Sequence, residues 1–167
     1  MKIRLLRGLK DIKENISFNL ETPISEIAKV IKDKSIGAVP IVDDQNKLIG
    51  IVSERDIVTK MVVEARDADL TTAQEIMTKE IISANLDDDL EQTIGVMKSK
   101  NIRHMPVTDS DGKLTDFFSI RDFLNAEIKS NQQVSRKHKN VVKYQITASV
   151  LLVIATFAGV FFDYFDK

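Results

Sequence analysis

Two tetrapeptides carry the residue types best suited to chemistry, Ser53-Glu54-Arg55-Asp56 and Ser119-Ile120-Arg121-Asp122. Each sets a hydroxyl, a guanidinium and a carboxylate close together where an apolar run ends and a helical pattern begins. Ser followed three residues later by an acid is close to a capping box. The hydroxyl accepts from the first helical turn, and the acid favours the helix dipole. A binding role does not compete with capping, because a carboxylate at the mouth of a strand-to-helix turn can accept two hydrogen bonds from a vicinal diol such as that of ribose. Arg55 and Arg121 bring a guanidinium to the same openings, where it suits phosphate as well as it suits solvent. The pattern is weak once and much stronger twice.

The two copies belong to an internal repeat. Shifting the chain on itself by 66 residues lays IGAVPIVDDQNKLIGIVSERDIV (36–58) over IRHMPVTDSDGKLTDFFSIRDFL (102–124) without a gap. Eight of the 23 positions are identical: Ile36/Ile102, Pro40/Pro106, Asp43/Asp109, Lys47/Lys113, Leu48/Leu114, Ser53/Ser119, Arg55/Arg121 and Asp56/Asp122. Each unit begins with a short apolar piece, Ile16 to Phe18 or Ile81 to Ala84. A helix follows, with Ile24, Ile27 and Ile31, or Leu90, Ile94 and Met97, at helical spacing. Next come two strands across a polar turn, 38–42 with 48–52 and 104–108 with 114–118, and then a helix opening at Ser53 or Ser119. That last helix is expected to bury Ile57, Val58, Met61 and Val62, or Phe123, Leu124 and Ile128. The fold class is therefore α/β (α+β), two β-α-β-β-α repeats at 9–66 and 74–130. A unit of roughly 60 residues buries little core alone, so the two are expected to pack as one pseudo-twofold module.

Composition narrows the function classes. With 24 Lys+Arg against 25 Asp+Glu the net charge is -1, which provides no basic field for nucleic acid. Cys is 0, so thiolate metal sites and cysteine nucleophiles are excluded. His104 and His138 fall in a strand and in a basic stretch, which suits neither a Ser-His-Asp triad nor a metal site. Asp109-Ser110-Asp111-Gly112 lacks the closing acid of a calcium loop, where Ile120 stands, and reads as a turn. The six glycines form no phosphate-cradling motif. No enzyme chemistry is expected, and neither a cofactor nor a metal is required. The N-terminus has basic residues breaking its apolar run and does not read as a signal peptide. Residues 131–143 read as a basic linker, and 144–162, without a charged residue, as a hydrophobic C-terminal transmembrane helix of roughly 28 Å. The alternative is an apolar helix in a core or a dimer interface. The basic cluster on its N-terminal side would hold the repeats on the cytoplasmic face of a single-pass protein. Ala155 and Gly159 are spaced for close helix approach.

The paired stretches resemble the central part of cystathionine beta-synthase (CBS) domains over residues 9 to 129, in Pro40 and Pro106, the Gly50 to Ser53 ending and the Ser-x-Arg-Asp helix start. The resemblance implies a tandem pair whose clefts bind an adenosine-containing ligand, such as AMP, ADP, ATP, a dinucleotide or S-adenosylmethionine, and which regulates something else. Carried over by position, it assigns ribose contacts to Ser53 and Asp56 in one cleft and to Ser119 and Asp122 in the other. It assigns base pockets to Ile16, Ala38 and Pro40, and to Ile82, His104 and Pro106; plain core packing is an equal reading of the apolar members. It brings Arg55, Arg103 and Arg121 to phosphate. The second repeat departs from the pattern, with Asp116 in place of Gly50 and Phe117-Phe118 in place of Ile51-Val52, which leaves one cleft altered or empty. The expectation is a membrane-tethered adenine-nucleotide sensor, a homodimer acting on an effector that the sequence does not name. The alternative is a ligand-free dimerisation or docking platform of the same fold.

Overall fold

The structure, a computed structural model, describes residues 1–8 and 16–165, with side chains for 1–6, 16–132 and 134–150. The expected start of the first repeat at residue 9 lies outside the described residues. Two compact units are present, Met1–Ala126 and Glu127–Lys167. After a 3-10 turn, Ile3–Gly8, the elements are α1 (Ile24–Lys34), β1 (Ala38–Val42), β2 (Leu48–Ser53), α2 (Glu54–Ile57) and α3 (Ala73–Ile76). They continue with β3 (Ala84–Asn85), α4 (Leu90–Ser99), β4 (His104–Thr108), β5 (Leu114–Ser119) and α5 (Ile120–Phe165).

The 66-residue offset recurs in the backbone. In the antiparallel pair β1–β2, Ala38 faces Ser53 and Pro40 faces Ile51; in β4–β5, His104 faces Ser119 and Pro106 faces Phe117. Both ladders shift register at the same place, between Ile41 and Val42 and between Val107 and Thr108. Phe18 bridges Ile41 in parallel, as Ala84 of β3 pairs with Val107. The turns match as well: Asp43 Oδ1 accepts from the amides of Gln45 and Lys47, and Asp109 Oδ1 from those of Asp111 and Lys113. This local bonding makes the Asp an economical turn former. Left-handed residues also correspond, Ser35 with Asn101 and Asn46 with Gly112. The turns touch one another through Leu48 N–H to Gly112 O (3.1 Å) and Leu114 N–H to Asn46 O (2.9 Å). These two bonds interchange under the offset, so a local twofold passes between Lys47 and Lys113, which themselves form a bridge.

Each repeat has its own core, completed from outside the repeat. Ile24, Ile27 and Ile31 of α1 pack with Val39, Ile41, Val52 and Met61, and Ala73 and Ile76 of α3 close that cluster. Leu90, Ile94, Met97, Met105, Val107, Phe118 and Phe123 form the other, and it is closed by Ile3 and Leu6 from the far end of the chain. Phe118 and Phe123 meet edge to face at 5.7 Å, a favoured aromatic geometry. Main-chain bonds hold both arms: Ile24 N–H to Thr71 O on one side, Leu90 N–H to Met1 O and Arg4 N–H to Leu86 O on the other. The connection between the repeats is therefore partly core, through Ala73.

Two local expectations need correction. The strands expected at 16–18 and 81–84 are a single bridge at Phe18 and the short β3, so Ile81 and Ile82 stay outside the ladder. The helix after Ser53 becomes π-helical at Val58–Val62, with Val63 N–H bonded to Val58 O. The wider turn breaks the 3.6-residue stripe. Met61 stays buried, while Val58 and Val62 face solvent, as does Ile128 in the second unit.

The second unit continues α5, and residues 131–143 are helical. From residue 131 on its described side chains are exposed, with Thr147 and Ser149 hydroxyls donating to the carbonyls of Lys143 and Gln145. Among the described residues no helix is long and apolar enough to cross a membrane. The expected transmembrane segment, the hydrophobic C-terminal helix and the single-pass membrane location are corrected on that finding. Tyr144, Gln145, Thr147 and Ser149 make the start of the run polar. From Val150 to Phe162 only about 13 residues remain, roughly 20 Å of helix against a hydrocarbon core of about 30 Å; the side chains of 151–162 lie outside the described residues.

Because each arm fills a core it does not belong to by sequence, Leu6→Ala and Ile76→Ala are each expected to cost about 2–5 kcal/mol. Urea unfolding of the full chain followed by circular dichroism measures this; a midpoint unchanged for either variant contradicts the completed-core description.

Candidate functional site

Both Ser-x-x-Asp corners form the same reciprocal cap. Ser53 N–H and Oγ–H donate to Asp56 Oδ2 at 3.0 and 2.5 Å, and Asp56 N–H donates back to Ser53 Oγ at 3.2 Å. In the second repeat, Ser119 N–H and Oγ–H donate to Asp122 Oδ2, both at 2.8 Å, and Asp122 N–H to Ser119 Oγ at 3.3 Å. The corner arises because β2 and β5 end in extended serines whose amides have no further strand partner, so the acid one turn on takes them. Behind each corner a second bond ties the helix start to the first strand: Glu54 N–H to Gly37 O, and Ile120 N–H to Arg103 O.

The corners differ at the other carboxylate oxygen. Asp56 Oδ1 accepts from Lys60 Nζ at 2.9 Å and from Thr78 Oγ at 3.2 Å, and Lys60 also donates to Ile76 O. Asp122 Oδ1 accepts no hydrogen bond among the described residues, and Ala126 stands where Lys60 would fall. Burial pushes the Asp56 carboxyl up, but the bonds from Ser53 and Lys60, with the Lys60 charge, outweigh it and hold the group below its ordinary 3.8. Its stabilising contribution is thus complete above that value and is lost as pH falls through the lowered one.

Segment 76–78 lies against the first corner. Thr78 and Ile51 exchange backbone bonds at 2.9 and 3.1 Å, and a Cβ on Gly50 would stand 2.2 Å from Met77 Sδ. Gly50 is the residue that admits this close approach.

His104 occupies the space between the repeats. Its ring stacks on Phe117 at 5.7 Å and 3°, and a Cβ on Gly37 would lie 3.0 Å from its Cε1. Burial lowers its pKa below 6.5, helped by the Arg103 charge and opposed by the Glu54 and Asp122 carboxylates. It is neutral at pH 7.

Of the residues the sequence singled out, Ser53 with Asp56 and Ser119 with Asp122 are brought together. Ala38, Pro40 and Pro106 are buried in β1 and β4, and Ile16 packs on the first core. Ile82 is 40% exposed, and Arg55, Arg103 and Arg121 are exposed. Sequence reading missed Lys60, Met77, Thr78 and Glu54. Only Lys60 left a signal, four residues past Asp56 on the same helix face. Among the described residues no group of His, Asp and Glu is arranged to hold a metal ion.

A model of the CBS domain matches residues 9–63 and 73–129, and the chain belongs to the CBS-domain family. It is 34% identical over 102 residues to an uncharacterized protein of Methanopyrus kandleri, a match covering 61% of this chain and 52% of that protein. The chain thus spans about half the length of that relative. Among solved structures it resembles a protein with CBS domains from Burkholderia ambifaria, with TM-score 0.69 and 27% identity, covering 77% of this chain and 95% of the other. It also resembles the CBS domain pair of protein MJ0100 in complex with 5′-methylthioadenosine and S-adenosyl-L-methionine, with TM-score 0.67 and 25% identity, covering 78% and 98%.

Two outcomes follow. The unfolded chain protonates His104 near 6.5 and the folded chain only at lower pH, so stability is full above about pH 7 and declines as pH falls below 6.5. Urea midpoints at about pH 7.5 and 5.5 should differ in that direction, and His104→Gln should narrow the difference. Gly50→Ala forces Met77 out of place and should cost about 1–3 kcal/mol; an unchanged midpoint would show that the methionine yields freely.

Proposed function

We propose that the chain is a regulatory CBS pair that binds an adenosine-containing ligand at its Ser-x-x-Asp corners and passes on the resulting change of pose. The observation that carries this reading is the duplicated corner. One carboxylate oxygen is consumed in capping a helix, and in the second repeat the other accepts no hydrogen bond among the described residues. A vicinal diol supplies two donors to such a group. On this reading Ser119 and Asp122 meet the ribose in one cleft and Ser53 and Asp56 in the other. The base pockets are Ile16, Ala38 and Pro40, and Ile82, His104 and Pro106; Arg55, Arg103 and Arg121 reach phosphate. The repeats run 9–66 and 74–130. The ligand-bound CBS pair among the similar structures supports the ligand class, and the chemistry of the corner supports the ribose. The coupling to an effector is bounded by the ligand's difference in affinity between the two poses.

A second reading, a ligand-free homodimerisation or docking platform, draws on an apolar group left in solvent. Val58, Val62 and Val63 are 55%, 70% and 75% exposed.

Thermal unfolding of the full chain with AMP, ADP, ATP, S-adenosylmethionine and 5′-methylthioadenosine, and with GMP as control, separates the readings. At about 100 times its dissociation constant a ligand stabilises by roughly 2.7 kcal/mol. An adenosine-selective rise in midpoint, lost when Asp56→Ala and Asp122→Ala are combined, is expected. No rise with any of them, together with a dimeric mass by light scattering that nucleotide leaves unchanged, favours the platform.

A further inference from the structure

The two corners share one sequence pattern and one cap, yet the chain treats their outward oxygens differently. At Asp56 that oxygen is taken by the Lys60 ammonium at 2.9 Å and the Thr78 hydroxyl at 3.2 Å. The ammonium is anchored from behind by Ile76 O, and Met77 is pressed onto Gly50 in front. A cation on a carboxylate is a stronger partner than a neutral hydroxyl, because charge-assisted bonds are roughly twice as strong as neutral ones. Displacing it would cost Lys60 its charged partner and leave Ile76 O as the protein acceptor shown for it. At Asp122 the same helix position is Ala126, buried in the core and unable to reach back.

Resting on the functional reading above, we propose that Lys60 is a built-in occupant of the first corner. The adenosine ligand is then taken by the Ser119/Asp122 corner alone, one per chain. Lys60 is in this sense a specificity-determining residue: it decides which of two like clefts is in use. The departures at Asp116 and Phe117-Phe118 then mark the working cleft rather than a vestigial one. The Phe117 ring carries the stacked His104, on which the Asp122 carboxylate acts.

Isothermal titration of the full chain with AMP, and with adenosine as a phosphate-free probe, tests this. The parent should bind one AMP per chain. Asp122→Ala should weaken binding by more than about tenfold. Lys60→Met, which keeps the apolar stem and removes the cation, should take up a second equivalent, and Lys60→Gln reports the same if the methionine variant folds poorly by its unfolding midpoint. Two equivalents in the parent overturn the inference while leaving the functional reading intact. Weaker binding in both Lys60 variants does the same, since it makes Lys60 a ligand contact. A parent that binds neither probe overturns the functional reading and this inference with it.

Discussion

The module depends on an exchange. A single β-α-β-β-α repeat presents a strand pair covered on one side only, and roughly 60 residues do not close such a core. Here the segment preceding each repeat is given to the other: Ile3 and Leu6 to the second core, Ala73 and Ile76 to the first. Main-chain bonds at Met1, Leu86 and Thr71 fasten these arms where the helices α4 and α1 begin. With the crossed bonds at Leu48 and Leu114, the exchange ties two small units into one and brings both helix starts to the region between them. Both corners depend on it.

Within that frame the symmetry is close in the backbone and broken in the side chains. Register, turn bonding, caps and the left-handed residues other than Ala65 recur at the same offset. Charge does not. Lys60 neutralises Asp56, whereas the Asp122 carboxylate acts on His104, an imidazole whose pKa burial lowers. A duplicated scaffold has thus acquired two different electrostatic environments, and the difference comes from residues that lie outside the duplicated motif or on its edge.

That division also explains what was legible in the sequence. Asp43, Asp109, Ser53, Ser119, Asp56 and Asp122 act on backbone within a few residues of themselves, so type and spacing were enough to place turns and helix starts. The inward faces of α1 and α4 were legible for the same reason. The arms were not: Ile3 and Leu6 sit in no periodic run, and their burial is decided by a partner more than 80 residues away. Met77 and Thr78 were equally hidden, because their meeting with Gly50 and Asp56 is a property of the connection's path. The π turn shifted Val58 and Val62 off the expected face. The apolar tail misled through its average, since lack of charge over 144–162 concealed four polar residues at its start.

The crossed arms also set an order for synthesis. Everything needed for the first core, from Ile24 to Ile76, leaves the ribosome ahead of α4, β4 and β5, so that half can condense early. The second core has to recover Ile3 and Leu6, closing a loop of more than 80 residues onto α4. Contacts of such sequence separation are slow to form and carry the larger entropic cost. Until they form, Ile3 and Leu6 lack their partners, and the second core is the last to be completed.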